Sequence, residues 1–125
     1  MRKFIVAALL GSIACAANAQ ERLSELEFQK AMAVEGIQLI DVRTPEEFAK
    51  GHLVDAVNID WLSDDFLART ERLDKAKPVL LYCAAGGRSE EAREALQAAG
   101  FRQVADLDGG ILRWRAKQLP LITGK

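Results

Sequence analysis

Half of the 125 residues are hydrophobic, and 17 basic residues nearly balance 18 acidic ones, for a formal net charge of −1. A chain of this size makes one domain with one core, and it has no basic surplus with which to hold nucleic acid or an anionic membrane surface. One histidine and two cysteines leave no Cys/His set for a metal, and nothing in the pattern asks for a cofactor.

The N-terminus reads as an export signal. Arg2 and Lys3 are positive, Phe4 to Ile13 is mostly apolar, and Ala17-Asn18-Ala19 fits a small-x-small cleavage site. The apolar run is shorter than the roughly 20 residues of a membrane span. Residues 1–19 are therefore expected to be removed and residues 20–125 to form the domain, in a periplasmic or secreted protein. The alternative is cleavage before Cys15 and acylation of its thiol, but Ser12-Ile13-Ala14 lacks the leucine usual ahead of a lipid-bearing cysteine. The mature chain of 106 residues carries 15 basic and 18 acidic residues, and Cys83 is its sole thiol. No internal disulfide is then available, so Cys83 is either reactive or intermolecular. Small anionic substrates remain open to such a chain, because a local cradle can be positive inside an acidic surface.

Ser24-Glu25-Leu26-Glu27 has the form of a capping box and predicts a helix with Leu26, Ala33 and Val34 on its apolar stripe and Gly36 at its end. A strand follows over Ile37 to Val42. Thr44-Pro45-Glu46-Glu47 is a second box with proline at the first helical position, opening a short helix that stops at Gly51. Ala56 to Ile59 is a further strand. Ser63 or Asp64 is expected to cap a helix carrying Phe66, Leu67 and Leu73, and Pro78 marks the entry to the next strand.

That strand, Val79-Leu80-Leu81-Tyr82, ends in Cys83 and carries the chemistry. Four small residues follow, Ala84, Ala85, Gly86 and Gly87, then Arg88 and a helix predicted from Ser89 to Ala99 with Gly100 closing it. Free N–H groups from Ala84 to Ser89 can curl around the sulfur, and the helix N-terminus adds partial positive charge. Gly86 and Gly87 let the backbone approach a bound anion. Such surroundings favour the thiolate, the nucleophilic form of cysteine. The quieter reading is a buried cysteine beside an ordinary glycine turn. Val104 to Leu107 is the next strand, Asp108-Gly109-Gly110 a turn, and Ile111 to Gln118 a last helix with Trp114 facing inward. Strands alternating with helices predict an α/β domain, a parallel sheet with helices on both faces and ligands at the carboxyl ends of the strands.

Together these residues resemble a rhodanese (thiosulfate sulfurtransferase) domain, in the small single-domain exported form of the phage-shock type. The resemblance runs from about Leu39 to Leu119 and rests on four islands in order. They are Leu39-Ile40-Asp41-Val42-Arg43 with Glu46-Glu47-Phe48, Gly51-His52-Leu53 followed by Ala56-Val57-Asn58-Ile59, Cys83 to Ser89, and Gly109-Gly110 with Trp114. Val54 and Asp55 depart from it, standing where the family often has proline and glycine. The resemblance implies that Cys83 takes a sulfane sulfur from thiosulfate or a similar small anionic donor, holds it as a persulfide, and passes it to cyanide or a thiol. It implies that Arg88 steadies the donor, that the loop from Ala84 to Gly87 with Ser89 binds it, that Asp41 supports the loop without reacting, and that Arg43 lies near the rim.

Quieter readings stand beside these. His52 is expected to be a structural histidine rather than a base, since an already formed thiolate needs none. Arg43 could be a surface ion-pair partner, Trp114 belongs to the core, and Trp61 is either core or a wall of the site's mouth. Two other functions compete. A phosphatase or arsenate reductase of the same fold family would also use a thiolate, an amide cradle and an arginine. A sulfur carrier or sensor would meet a protein partner through the loop without turnover. Four residues between Cys83 and Arg88 match the sulfur-handling branch of the family, whereas the phosphatase branch has five.

Overall fold

The computed structural model of the chain describes residues 21–123. The expected signal segment, with Cys15, lies outside the described residues. Ten elements follow one another: β1 (Arg22–Leu23), α1 (Glu25–Met32), β2 (Gln38–Asp41), α2 (Pro45–Ala49), β3 (Val57–Asn58), α3 (Phe66–Thr70), β4 (Val79–Tyr82), α4 (Gly87–Ala98), β5 (Val104–Leu107) and α5 (Gly110–Ala116). The strands form one sheet in the order β1-β5-β4-β2-β3, and every neighbouring pair is parallel. Among the described residues no helix is long and apolar enough to cross a membrane.

Strand alternation sends successive side chains to opposite faces, so one sheet feeds two cores. Ile40, Val79, Leu81 and Val104 pack with Phe66 of α3 and Ala92 and Leu96 of α4, and Cys83 belongs to this face. Leu39, Leu80, Tyr82 and Leu107 pack on the other face with Phe28 of α1 and Ile111 and Trp114 of α5. Each fully buried large apolar side chain contributes about 1.5–3 kcal/mol. Helices on both faces of a parallel sheet are the architecture expected from the sequence.

The strand order also places the site. From β2 the chain runs outward to β3, whereas β4 lies on the other side of β2 and leads on to β5. The winding reverses between β2 and β4, and open parallel sheets bind ligands in the crevice at the carboxyl ends of such a pair. Asp41 ends β2 and Cys83 follows β4.

Both capping boxes form as expected, Ser24 with Glu27 and Thr44 with Glu47. Several details differ. Leu26 and Val34 are exposed, and α1 buries Phe28 and Glu25 instead. Residues 25, 28 and 32 share one helical face, and Glu25 can lie on it because Arg113 of α5 and Lys117 just after it reach its carboxylate. The helix ends at Met32, before Gly36, and α3 starts after Asp65 with no side-chain cap, since Ser63 and Asp65 bond each other. The turn that lacks the family's proline and glycine places Asp55 at φ 67°. Aspartate is among the residues that tolerate the left-handed region, which is why this turn forms without glycine. β1 gave no sequence signal, because two residues are too few for a periodicity.

Candidate active site

Cys83 follows the last residue of β4 and is 1% exposed. Its carbonyl accepts the Ile111 N–H at 2.9 Å and the Ala84 carbonyl accepts the Leu112 N–H at 3.0 Å. The first turn of α5 thus ties the loop's first two carbonyls to one side, which turns the loop's amides toward the sulfur. The contact is close: a Cβ on Gly110 would stand 2.3 Å from the Ala84 carbonyl oxygen, and Gly110 has φ +60°. The Gly109-Gly110 pair of the sequence is therefore a docking surface for the cysteine loop.

On the sulfur side, Cys83 Sγ accepts N–H groups from Gly86 at 3.1 Å and Ser89 at 3.3 Å. Gly86 caps α4 with φ 112°, a conformation that favours glycine. The helix begins at Gly87, two residues earlier than the sequence suggested, so its free N-terminal amides lie inside the loop itself. Among the described residues the N–H groups of Ala84, Ala85, Gly87 and Arg88 meet no acceptor. The arrangement suits an anionic sulfur, which would be held by several N–H donors at the positive end of a helix dipole.

The support beneath this cradle was not read from the sequence. Asp106 of β5 is fully buried, and its carboxylate accepts from Arg22 Nη2 at 2.6 Å, Ser89 Oγ at 2.8 Å and Arg93 Nε at 3.0 Å. Arg22 Nη2 also donates to the Gly86 carbonyl at 2.6 Å, and so holds the residue whose N–H meets the sulfur. With its proton on Asp106, the Ser89 hydroxyl presents a lone pair to the Cys83 thiol 3.6 Å away. A charged residue at an inward position of a buried strand was the available signal, since Asp106 shares the face of Val104.

The remaining candidates divide. Asp41, expected to support the loop, instead holds Arg43: it accepts from Nη2 at 2.6 Å and Nε at 3.0 Å, and from the Arg43 backbone N–H at 2.9 Å. Asp106 takes the loop-supporting role. Arg43, expected at the rim, is buried, donates to the Gly51 carbonyl at 2.7 Å and lies over the Tyr82 ring. At 3% exposure, and shut in by a carboxylate, a carbonyl and an aromatic face, this guanidinium does not reach a substrate at the surface. Burial, helped by the Asp41 carboxylate, pushes the Tyr82 phenol far above its ordinary range.

Arg88 projects from the first turn of α4 toward α2. Its Nη1 and Nη2 donate to the two Glu47 oxygens at 2.8 and 3.0 Å, and this pairing holds the Glu47 carboxyl down at about 2. Glu47 also completes the α2 capping box, so one carboxylate locks two helix starts together. His52 stacks on Phe48, sits by its carbonyl through Nδ1 and bridges Ile122, the structural position expected of it. Trp61 packs partly buried against Phe66 and donates to Glu91, joining the end of β2 to α4, and Trp114 is core.

The profile of the rhodanese-like domain family matches residues 24–117. A sulfurtransferase of Allochromatium vinosum is 33% identical over 99 residues, covering 79% of this chain and 91% of the relative. The thiosulfate sulfurtransferase GlpE of Pseudomonas savastanoi pv. phaseolicola is 36% identical over 91 residues, covering 72% of this chain and 83% of the relative. The crystal structure of a rhodanese-related protein from Thermoplasma volcanium superposes with a TM-score of 0.72 at 24% identity, over 82% of this chain and 97% of that one.

Proposed function

The chain belongs to the rhodanese-like domain family, and on that premise we propose that it is a sulfurtransferase working through a persulfide on Cys83. The Cys83 thiolate attacks the outer sulfur of thiosulfate or a related donor. A bond forms between the two sulfurs, the donor's own S–S bond breaks, and its electron pair leaves on sulfite. Cys83 then carries a persulfide with the negative charge on the outer sulfur. Cyanide or a thiolate attacks that sulfur, leaves as thiocyanate or a persulfide, and returns the Cys83 thiolate. Charge balances at each step and no external oxidant is needed.

The observation that carries this reading is the double N–H contact on Cys83 Sγ, surrounded by further loop amides with no acceptor of their own. An outer sulfur extending from Cys83 would meet those amides, and pre-aimed donors stabilise developing charge without reorganisation. Ser89 and the Asp106 network hold the cradle's shape, and Arg88 closes its rim. The test is the intact mass of the protein before and after thiosulfate. Gain of one sulfur atom, lost on adding cyanide and absent in Cys83→Ser, is expected. Hydrolysis of an aryl phosphate through Cys83 with no sulfur gained would replace this reading with the phosphatase one. We further propose export with removal of residues 1–19, which the same mass measurement on protein from the native host checks.

A further inference from the structure

Every arginine around the cradle already holds a carboxylate. Arg22 and Arg93 are on Asp106, Arg43 is on Asp41, and Arg88 is on Glu47. Only Arg88 projects from the cysteine loop itself, with 25% of its side chain exposed, and both of its terminal nitrogens are engaged. The Asp60 carboxylate adds a second negative charge to its surroundings. Among the described residues the cradle therefore offers an incoming donor neutral N–H groups and a helix end, but no arginine that is not already paired with a carboxylate. A donor with two negative charges must either pull Arg88 from a bidentate partner or rest beside the Glu47 carboxylate.

We infer that Glu47 is a specificity residue: by keeping the Arg88 guanidinium to itself, it selects monoanionic organic sulfane-sulfur donors over dianionic thiosulfate. The inference rests on the sulfurtransferase reading above. Monoanions of this class transfer sulfur by the same balanced step. A thiosulfonate gives its outer sulfur to the Cys83 thiolate and departs as a sulfinate, and an organic persulfide departs as a thiolate. For these the amide cradle is sufficient, because the one charge travels with the sulfur that the amides receive.

Glu47→Gln isolates the effect. Glutamine serves at the third helical position of a capping box as well as glutamate does, so the start of α2 is kept while the charge is removed. One arm of the experiment uses thiosulfate and the other benzenethiosulfonate, with cyanide as acceptor and thiocyanate as the readout. Comparing the ratio of the two kcat/KM values between wild type and variant cancels the donors' different intrinsic reactivity. Freeing Arg88 is expected to raise kcat/KM for thiosulfate by about tenfold, mostly through KM, as one charge-assisted hydrogen bond at a partly exposed site would. For benzenethiosulfonate the expected change is less than about twofold, its single charge being already met by the amides. A parallel change with both donors, or a fall with thiosulfate alone, would overturn the inference and make Glu47 only a brace for Arg88. If neither donor adds sulfur to Cys83 in wild type or variant, the sulfurtransferase reading fails first, and the intact mass shows it directly.

Discussion

Gly110→Ala should disable the site without touching any group that meets a substrate. The added methyl would stand 2.3 Å from the Ala84 carbonyl oxygen, 2.5 Å from its carbon and 2.7 Å from the Ala85 nitrogen, all of them backbone. Cβ contacts essentially never fall under 3.0 Å, so the cysteine loop must retreat from α5 by roughly 0.7 Å or more. The φ of +60° costs an alanine a further ~1–2 kcal/mol. Retreat strains the Ile111 and Leu112 N–H bonds that orient the loop carbonyls, and with them the amides on the other side. A displacement approaching 1 Å in a positioned site costs on the order of 100-fold in rate. The strain alone should lower the melting temperature by about 4–8 °C for each kcal/mol. The assay is the rate of sulfur gain by Cys83 under single turnover, with melting followed in parallel. Gly87→Ala is the control, because nothing lies within 4 Å of its Cβ position and its φ is ordinary. That variant should melt no lower than wild type, since an unstrained Gly→Ala change is stabilising by ~0.4–1 kcal/mol. Wild-type rate and stability in Gly110→Ala would refute the claim that α5 orients the cradle.

Three further outcomes follow from the same geometry. Arg43→Met leaves the Asp41 carboxylate buried and unpaired, and chemical denaturation should register a loss of about 3–5 kcal/mol; a loss under ~1 kcal/mol would mean that Arg43 is not a structural residue. Arg22→Met removes the donor to the Gly86 carbonyl and one partner of Asp106, so steady-state sulfur transfer should fall about 10-fold or more, the worth of one charge-assisted hydrogen bond. Glu47, held near 2 by Arg88, adds stability that is fully present above its ordinary value of 4.5 and fades as pH falls toward 2. Screening at this half-exposed pair limits the effect to about 1 kcal/mol. Urea unfolding at pH 7 and pH 3 should find Glu47→Gln losing less stability on acidification than wild type.

The parts of this molecule that could be read from its sequence are those with local causes. Each capping box is complete within four residues, and both formed as written. The cysteine after a buried strand, with glycines and a helix behind it, is likewise a contiguous signal, and its two N–H contacts arise within six residues. What escaped was held by distant partners. Asp106 reads as an oddity in an apolar strand until Arg22, 84 positions earlier, is placed beside it. Leu26 reads onto the apolar stripe, whereas Glu25 takes the inward face because Arg113 and Lys117 bring two cations to it. Arg43 reads as a rim residue or a surface ion-pair partner, and its place in the interior escaped because that burial depends on Gly51 and Tyr82 as much as on Asp41.

β1 is only two residues long and sits at the edge of the sheet, yet it delivers Arg22 to the Gly86 carbonyl. Short terminal strands are the first part of a sheet to fray, opening at far lower cost than the strands within. The geometry at Cys83 is thus hitched to a two-residue edge strand, with the backbone bonds of Asp106 to Glu21 and Asp108 to Leu23 as its fastening. A purification tag fused next to Glu21 would pull first on Arg22 and the cysteine loop, and only then on Leu23 in the second core. Activity would be lost while the melting curve still looked native, and the N-terminus would be the first place to look for the cause.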